Sequence, residues 1–249
     1  MKIGLQLWSV KDQFLTEQWQ PNGELLNVIE KIAAMGYDGI EWALGGLGGA
    51  TAAEIKAKLD EVGLVISSAH VAFEALRDDF ENTIKFNKEI GNPYIIVPYA
   101  DFDTVEDWLK FAEDLGEMNK KVEAEGFKFT FHNHFKEFTK VNDDKYVLDA
   151  IYENVPGTEI DTYWVEHSGI NPVEYLKKYA GRTSHIHIKD MHPNKEESTI
   201  VGEGIMDIQG IVTQAKENGA EWLIVEQEAF EKPSLESVET GLKNLKAML

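Results

Sequence analysis

Short apolar runs alternate with longer amphipathic stretches along all 249 residues. The first run is 3–8. After a polar gap, Leu26, Val28, Ile29, Ile32 and Ala33 recur at helical spacing within 25–35, and Gly36 supplies the residue that ends such a helix. The alternation then predicts strands over 37–42, 64–70, 94–98, 127–131, 158–162, 183–189 and 221–227. It predicts helices over 52–62, 79–90, 105–125, 146–153, 172–179, 208–218 and 234–248, with Gly63, Gly91 and Gly126 as further stops. Eight strand–helix units without a Pro/Gly/Ser-rich linker imply parallel strands joined by right-handed crossovers. Eight units in this length predict an α/β chain folded as a single-domain (β/α)8 TIM barrel over residues 1–249. An open doubly wound sheet competes, but no G-x-G-x-x-G follows the first strand.

In such a barrel, polar residues at the C-terminal ends of strands are the functional candidates. Those ends carry Gln6, Glu41, His70, the pair His132 and His134, Asp161, the pair His185 and His187 with Lys189, and Glu226 with Glu228. Five of the seven histidines fall there, which is more than random scatter would place. The period of two in a strand sets directions: Ile186 and Ile188 face helices while His185, His187 and Lys189 face the axis, and Leu223 and Val225 leave Glu226 and Glu228 inward. Imidazoles and carboxylates converging from neighbouring strands make a mixed nitrogen–oxygen site. That chemistry suits one divalent metal, Mn²⁺, Co²⁺ or Zn²⁺, better than an all-oxygen Mg²⁺ cage, although Mg²⁺ is compatible with it. Hydrogen bonding of a polyol without any metal fits the same residues.

Composition narrows the partners. With 24 basic against 44 acidic residues the formal charge is −20, a field that repels nucleic acid and anionic membrane surfaces. There are no cysteines, hence no disulfides or thiolate ligands. The N-terminal residues lack a leader-type apolar region, and no run approaches the roughly 18 apolar residues of a membrane span. A cytoplasmic location is therefore expected, with a small-molecule partner; association into a homo-oligomer stays open.

Several stretches resemble the sugar phosphate isomerase/epimerase family with the xylose isomerase-like barrel, to which inosose dehydratase is related. They are I-G-L-Q-L-W-S-V, G-Y-D-G-I-E-W, S-S-A-H, F-H-N-H-F-K-E-F, E-I-D-T-Y-W-V, H-I-H-I-K-D, V-G-E-G-I-M-D-I and W-L-I-V-E-Q-E, in this order. The resemblance implies a metal held by His132, Asp161, His187 and Glu226. It also implies isomerisation or epimerisation of a sugar, keto-sugar or sugar phosphate, through proton abstraction next to a carbonyl and a cation-stabilised enolate. Where the epimerase members carry glutamate in E-N-H, this chain has His132, and inosose dehydratases look similar at that point. Dehydration of a keto-sugar or inosose, a lyase reaction, is thus the alternative chemistry, and a non-catalytic sugar-binding barrel the alternative of another class.

Within that reading His134, Glu226 and Lys189 are the catalytic candidates, for proton transfer and for neutralising an oxyanion or phosphate. Gln6, Glu41, His70, Glu137 and Glu228 are the substrate-binding candidates. His185, one layer deeper, reads as structural, and His167 and His192 as surface loop residues. Trp8, Trp42 and Trp164 suit either stacking on a sugar ring or the core.

Overall fold

The computed structural model describes residues 1–43, 45 and 48–249. Eight parallel strands form its centre: β1 (Lys2–Gln6), β2 (Gly39–Trp42), β3 (Val65–His70), β4 (Tyr94–Val97), β5 (Lys128–Phe131), β6 (Thr158–Asp161), β7 (Thr183–Ile188) and β8 (Trp222–Val225). Their hydrogen-bonded order is β5-β4-β3-β2-β1-β8-β7-β6, every pair parallel. Helices α1 (Leu25–Met35), α2 (Ala52–Val62), α3 (Phe73–Asp78), α4 (Phe80–Glu89), α5 (Val105–Ala124), α6 (Val147–Asn154), α7 (Thr162–His167), α8 (Pro172–Lys177), α9 (Ile208–Asn218) and α10 (Ser234–Ala247) surround it. This is the expected (β/α)8 barrel. Helix stops behave as glycines with positive φ should: Gly36 and Gly63 cap α1 and α2 at φ 92° and 76°.

The barrel closes between β5 and β6, and the seam is thin. One backbone bridge joins the two strands there, His132 to Glu159. Side chains do the rest. Thr130 donates to the Gly157 carbonyl (2.8 Å), and the Tyr152 hydroxyl lies 2.6 Å from the Glu159 carbonyl and 3.2 Å from that of Phe131. Asn133 imitates a strand residue: its amide donates to the Asp161 carbonyl and its oxygen accepts from the Asp161 N–H, at 3.2 and 3.0 Å. The closing seam therefore fixes the two strand ends that carry His132 and Asp161.

Three local features differ from the sequence reading. The first strand stops at Gln6 because a 3₁₀ segment, Leu7–Gln13, begins there, with the Gln6 side chain accepting from the Trp8 N–H. The single helix expected over 79–90 is preceded by α3 and broken from it at Asp79, whose backbone leaves helical angles. Beyond β6, α7 replaces a loop because Asp161 caps it, one carboxylate oxygen accepting from the N–H groups of Tyr163 (2.8 Å) and Trp164 (3.3 Å).

Two of the quoted sequence stretches prove to be halves of one clasp. Asp190, at the end of H-I-H-I-K-D, accepts backbone N–H bonds from adjacent Met191 and from Gly202, Gly204 and Met206 of the later V-G-E-G-I-M-D-I stretch. A side chain at Gly204 would collide with that carboxylate and with the Met191 carbonyl, so the close approach requires glycine.

On the outer face, Asp149 of α6 gathers the Tyr146 N–H (2.9 Å), the Tyr175 hydroxyl (3.0 Å), the Tyr179 hydroxyl and the Lys178 ammonium (2.8 Å). Burial pushes its carboxyl up, but Lys178, Tyr179 and Tyr146 outweigh this and hold it below the usual aspartate value. A depressed carboxylate contributes stability above its unfolded pKa and loses it as pH falls through the folded one. Asp149→Asn should therefore cost roughly 1–3 kcal/mol in urea unfolding at pH 7. The gap to the parent protein should narrow as pH drops below the ordinary aspartate range; a gap that is constant with pH would count against the assignment.

Candidate metal centre and active site

At the C-terminal mouth of the barrel, strand ends β5, β6, β7 and β8 bring His132, Asp161, His187 and Glu226 together, all four buried. One ligand atom from each lies within 4.8 Å of the others. His187 Nδ1 is 2.9 Å from Glu226 Oε2 and 3.9 Å from Asp161 Oδ2, and His132 Nε2 is 3.5 Å from Asp161 Oδ2. His132 is oriented by its other nitrogen, Nδ1, 3.2 Å from the Pro98 carbonyl. Asp161 divides its oxygens: Oδ1 caps α7, leaving Oδ2 aimed at the cluster.

A second layer lies beneath. His187 Nε2 is 2.7 Å from Glu41 Oε1 and 3.5 Å from Glu159 Oε1, while His70 Nε2 is 2.8 Å from Glu159 Oε2. Glu41 also accepts from Gln6 Nε2 (2.6 Å) and from the Ser68 hydroxyl. Burial disfavours the charged form of His187, yet Glu159 and Glu41 outweigh it and hold the imidazole well above its ordinary value. Burial likewise pushes Glu226 up, and Lys189 with His187 draws it well below the usual carboxylate range. A carboxylate partner on the far nitrogen of a histidine fixes its tautomer and ring plane, the arrangement typical of a ligand histidine.

Above the cluster opens a cavity of about 830 Å³ reached by Gln6, His70, His132, His134, Glu226 and Glu228. The His134 ring stands edge-on to His132 with centroids 4.9 Å apart, and edge-on to exposed Tyr99 at 5.5 Å. Burial, then the neighbouring His132, pushes its pKa down to about 2, and its Nδ1 has no partner among the described residues.

The family described as "Xylose isomerase-like TIM barrel" matches residues 29–248. The chain belongs to that family. An inosose dehydratase from Clostridium beijerinckii is 27% identical over 217 residues, covering 70% of this chain and 72% of that protein. One from Clostridium botulinum is 31% identical over 143 residues, 49% of this chain and 48% of its own length, so the match spans about half of that relative. A sugar phosphate isomerase/epimerase from Parabacteroides distasonis superposes with TM-score 0.80 at 23% identity over 98% of this chain and 97% of that one. The family's barrel thus has isomerase/epimerase neighbours and dehydratase relatives.

Within this xylose isomerase-like barrel the expected residues divide into three places. His132, Asp161, His187 and Glu226 meet at the cluster; Gln6, His70, His134 and Glu228 line the cavity with His132 and Glu226. Glu41, Glu137 and Lys189 do not line it. Glu41 is fully buried under His187, and Glu137 is buried with one oxygen accepting from the His134 N–H (3.1 Å), burial pushing its pKa up to about 7. Lys189 is buried against Glu228 and 3.9 Å from Glu226, which raises its pKa over the opposing effect of burial. His185 lies deeper, its Nε2 3.3 Å from the Ser67 carbonyl, as a structural residue would. His167 sits on α7 rather than in a loop and is exposed.

Glu159 escaped the sequence reading. It stands two residues before Asp161 on one strand, so the parity that paired His185 with His187 places both acids on the barrel axis.

The cluster fits a divalent cation by its unpartnered atoms and by its donor chemistry. His132 Nε2 and Asp161 Oδ2 are buried without a hydrogen-bond partner among the described residues, an arrangement that is costly unless something else occupies them. Two imidazole nitrogens and two carboxylate oxygens form a donor set suited to Mn²⁺, Co²⁺ or Zn²⁺.

Proposed function

We propose that this chain removes a proton next to the carbonyl of a small polyhydroxylated ketone and that loss of the β-hydroxyl follows, a dehydration. The unpartnered pair His132 Nε2 and Asp161 Oδ2, converging with His187 Nδ1 and Glu226 Oε2 beneath the cavity, carries the reading. A divalent cation held by these four supplies Lewis-acid stabilisation of the charge that develops on the carbonyl oxygen. Glu226 faces the cavity from the cluster, ionised and in position to accept the α-proton. As that C–H bond breaks, the carbon–carbon double bond forms and the β C–O bond breaks. The proton now on Glu226 leaves with the departing hydroxyl as water. Gln6 and His70 line the polyol end of the cavity.

Dehydration stands ahead of isomerisation or epimerisation here, inverting the order drawn from the sequence motifs, for two reasons. Strand five contributes His132 where an epimerase needs a second carboxylate on the other face of the carbon, and the two relatives described above are inosose dehydratases. Isomerisation or epimerisation is the second reading, favoured by His134, whose unpartnered Nδ1 beside the cavity provides another proton-transfer group.

Incubation of the Mn²⁺- or Co²⁺-reconstituted protein with inososes and ketohexoses in D₂O separates the two. Dehydration yields a product lighter by one water. A same-mass product carrying solvent deuterium selects the second reading, and neither product nor deuterium uptake across the panel sinks both.

A further inference from the structure

Resting on that polyol site, we infer that the substrate carries an apolar aryl or alkyl substituent beside its polyol ring and carries no phosphate. The cavity lies toward the upper end of the roughly 300–1,000 Å³ typical of sites for drug-sized ligands, more room than one sugar ring fills. The histidines and the Glu226 and Glu228 carboxylates stand at one end, over the cluster. The remainder is walled by Trp8, Trp42, Val71, Ala72, Ala75 and Phe86.

That wall offers little to a hydroxyl group. The indole N–H of Trp42 is donated to the Gly45 carbonyl (2.9 Å), and its ring meets Phe86 at 5.9 Å between centroids, tilted by 49°. The few polar side chains along this stretch already serve the protein: Asn82 donates to Asp79, Thr83 to the Ala75 carbonyl and Asn87 to the Thr83 carbonyl. Ala72 and Ala75, where the chain enters α3, leave the space that larger side chains would fill. An apolar group seated there loses water against these side chains, the favourable case for burial.

Charge excludes a phosphate. Among the described residues the cavity is lined by three carboxylates, Asp79, Glu226 and Glu228, and by no lysine or arginine. Leu44, Gly46 and Leu47, sequence neighbours of Ala43 and Gly45 that lie outside the described residues, bear no charge. The two nearby lysines are engaged: Lys189 is bound to Glu228, and Lys11 lies 4.4 Å over the Trp8 ring and donates to the Trp8 carbonyl (3.4 Å). A phosphate would shed its water with neither arginine nor free lysine to replace it.

Titration calorimetry on the full chain tests this with matched probes: methyl and phenyl glycosides of glucose, galactose and xylose in both anomeric forms, with glucose 6-phosphate against glucose. At least one phenyl member should bind roughly tenfold or more tightly than its methyl partner. The advantage should vanish in Ala75→Phe, which fills the apolar end, and shrink in Phe86→Ala, with methyl glycoside binding unchanged in both. Equal affinity within every pair, no binding by any phenyl member, or tighter binding of glucose 6-phosphate than of glucose overturns the inference. Turnover of inososes and ketohexoses by the same preparation in D₂O, read as a product lighter by one water or a deuterium-bearing same-mass product, reports the polyol site separately, so that site can stand while the apolar end falls.

Discussion

Changing Asp161 to asparagine is expected to remove the divalent cation and the activity together while the barrel stays folded. The two oxygens of Asp161 have separate duties. Oδ1 caps α7 through the N–H groups of Tyr163 and Trp164, and an asparagine carbonyl oxygen serves that role equally well. Oδ2 has no partner among the described residues and points at His132 Nε2 and His187 Nδ1. In the variant this oxygen becomes an NH₂ group, a donor that repels a cation. Since altering a residue that only orients a ligand costs about 10–100-fold in metal affinity, losing a ligand should cost at least about a hundredfold. The checks are elemental analysis after reconstitution and dialysis, with circular dichroism alongside. The parent protein should hold close to one equivalent and the variant less than about a tenth. A variant that keeps its metal removes Asp161 from the ligand set. A parent protein that holds none after reconstitution removes the cation from the proposal.

The barrel was legible in the sequence because short strand-like runs alternate with amphipathic helices, several of them stopped by glycine, as at Gly36, Gly63, Gly91 and Gly126. Period-two parity also put His187 and Glu226 on the axis before any coordinates. What escaped has physical causes. The 3₁₀ turn after Gln6 and the helix after Asp161 depend on single side-chain caps, Gln6 on Trp8 and Asp161 on Tyr163 and Trp164, which leave no periodic trace. Glu159 was readable by the same parity, but its meaning comes from the closure of the barrel. The lone bridge from His132 to Glu159 sets that acid beside His70 and His187, residues distant in sequence. The burial of Glu41 was likewise hidden: a glutamate at a strand tip looks like a substrate contact until the histidine above it is located.

Replacing His187 by alanine should do more damage than replacing His132, although both are expected to empty the cation site. His132 Nε2 makes no hydrogen bond, and its Nδ1 only touches the Pro98 carbonyl, so His132→Ala deletes a ligand and little else. His187 holds two layers together, with Glu226 at 2.9 Å on one nitrogen and Glu41 at 2.7 Å and Glu159 at 3.5 Å on the other. Its removal strands buried carboxylates in the barrel interior, a change that typically costs about 3–5 kcal/mol. Both variants should therefore show metal content near zero and near-native circular dichroism without denaturant. Only His187→Ala should shift the urea midpoint strongly downward. Equal midpoints for the two variants would mean that Glu41 and Glu159 find other partners and that His187 is a ligand alone. Because those acids draw His187 toward its charged form, part of the penalty should be relieved at low pH, where the stranded carboxylates take up protons. The midpoint difference between the two variants should accordingly shrink from pH 7 toward pH 4, and a difference that grows instead would contradict the pairing of His187 with these carboxylates.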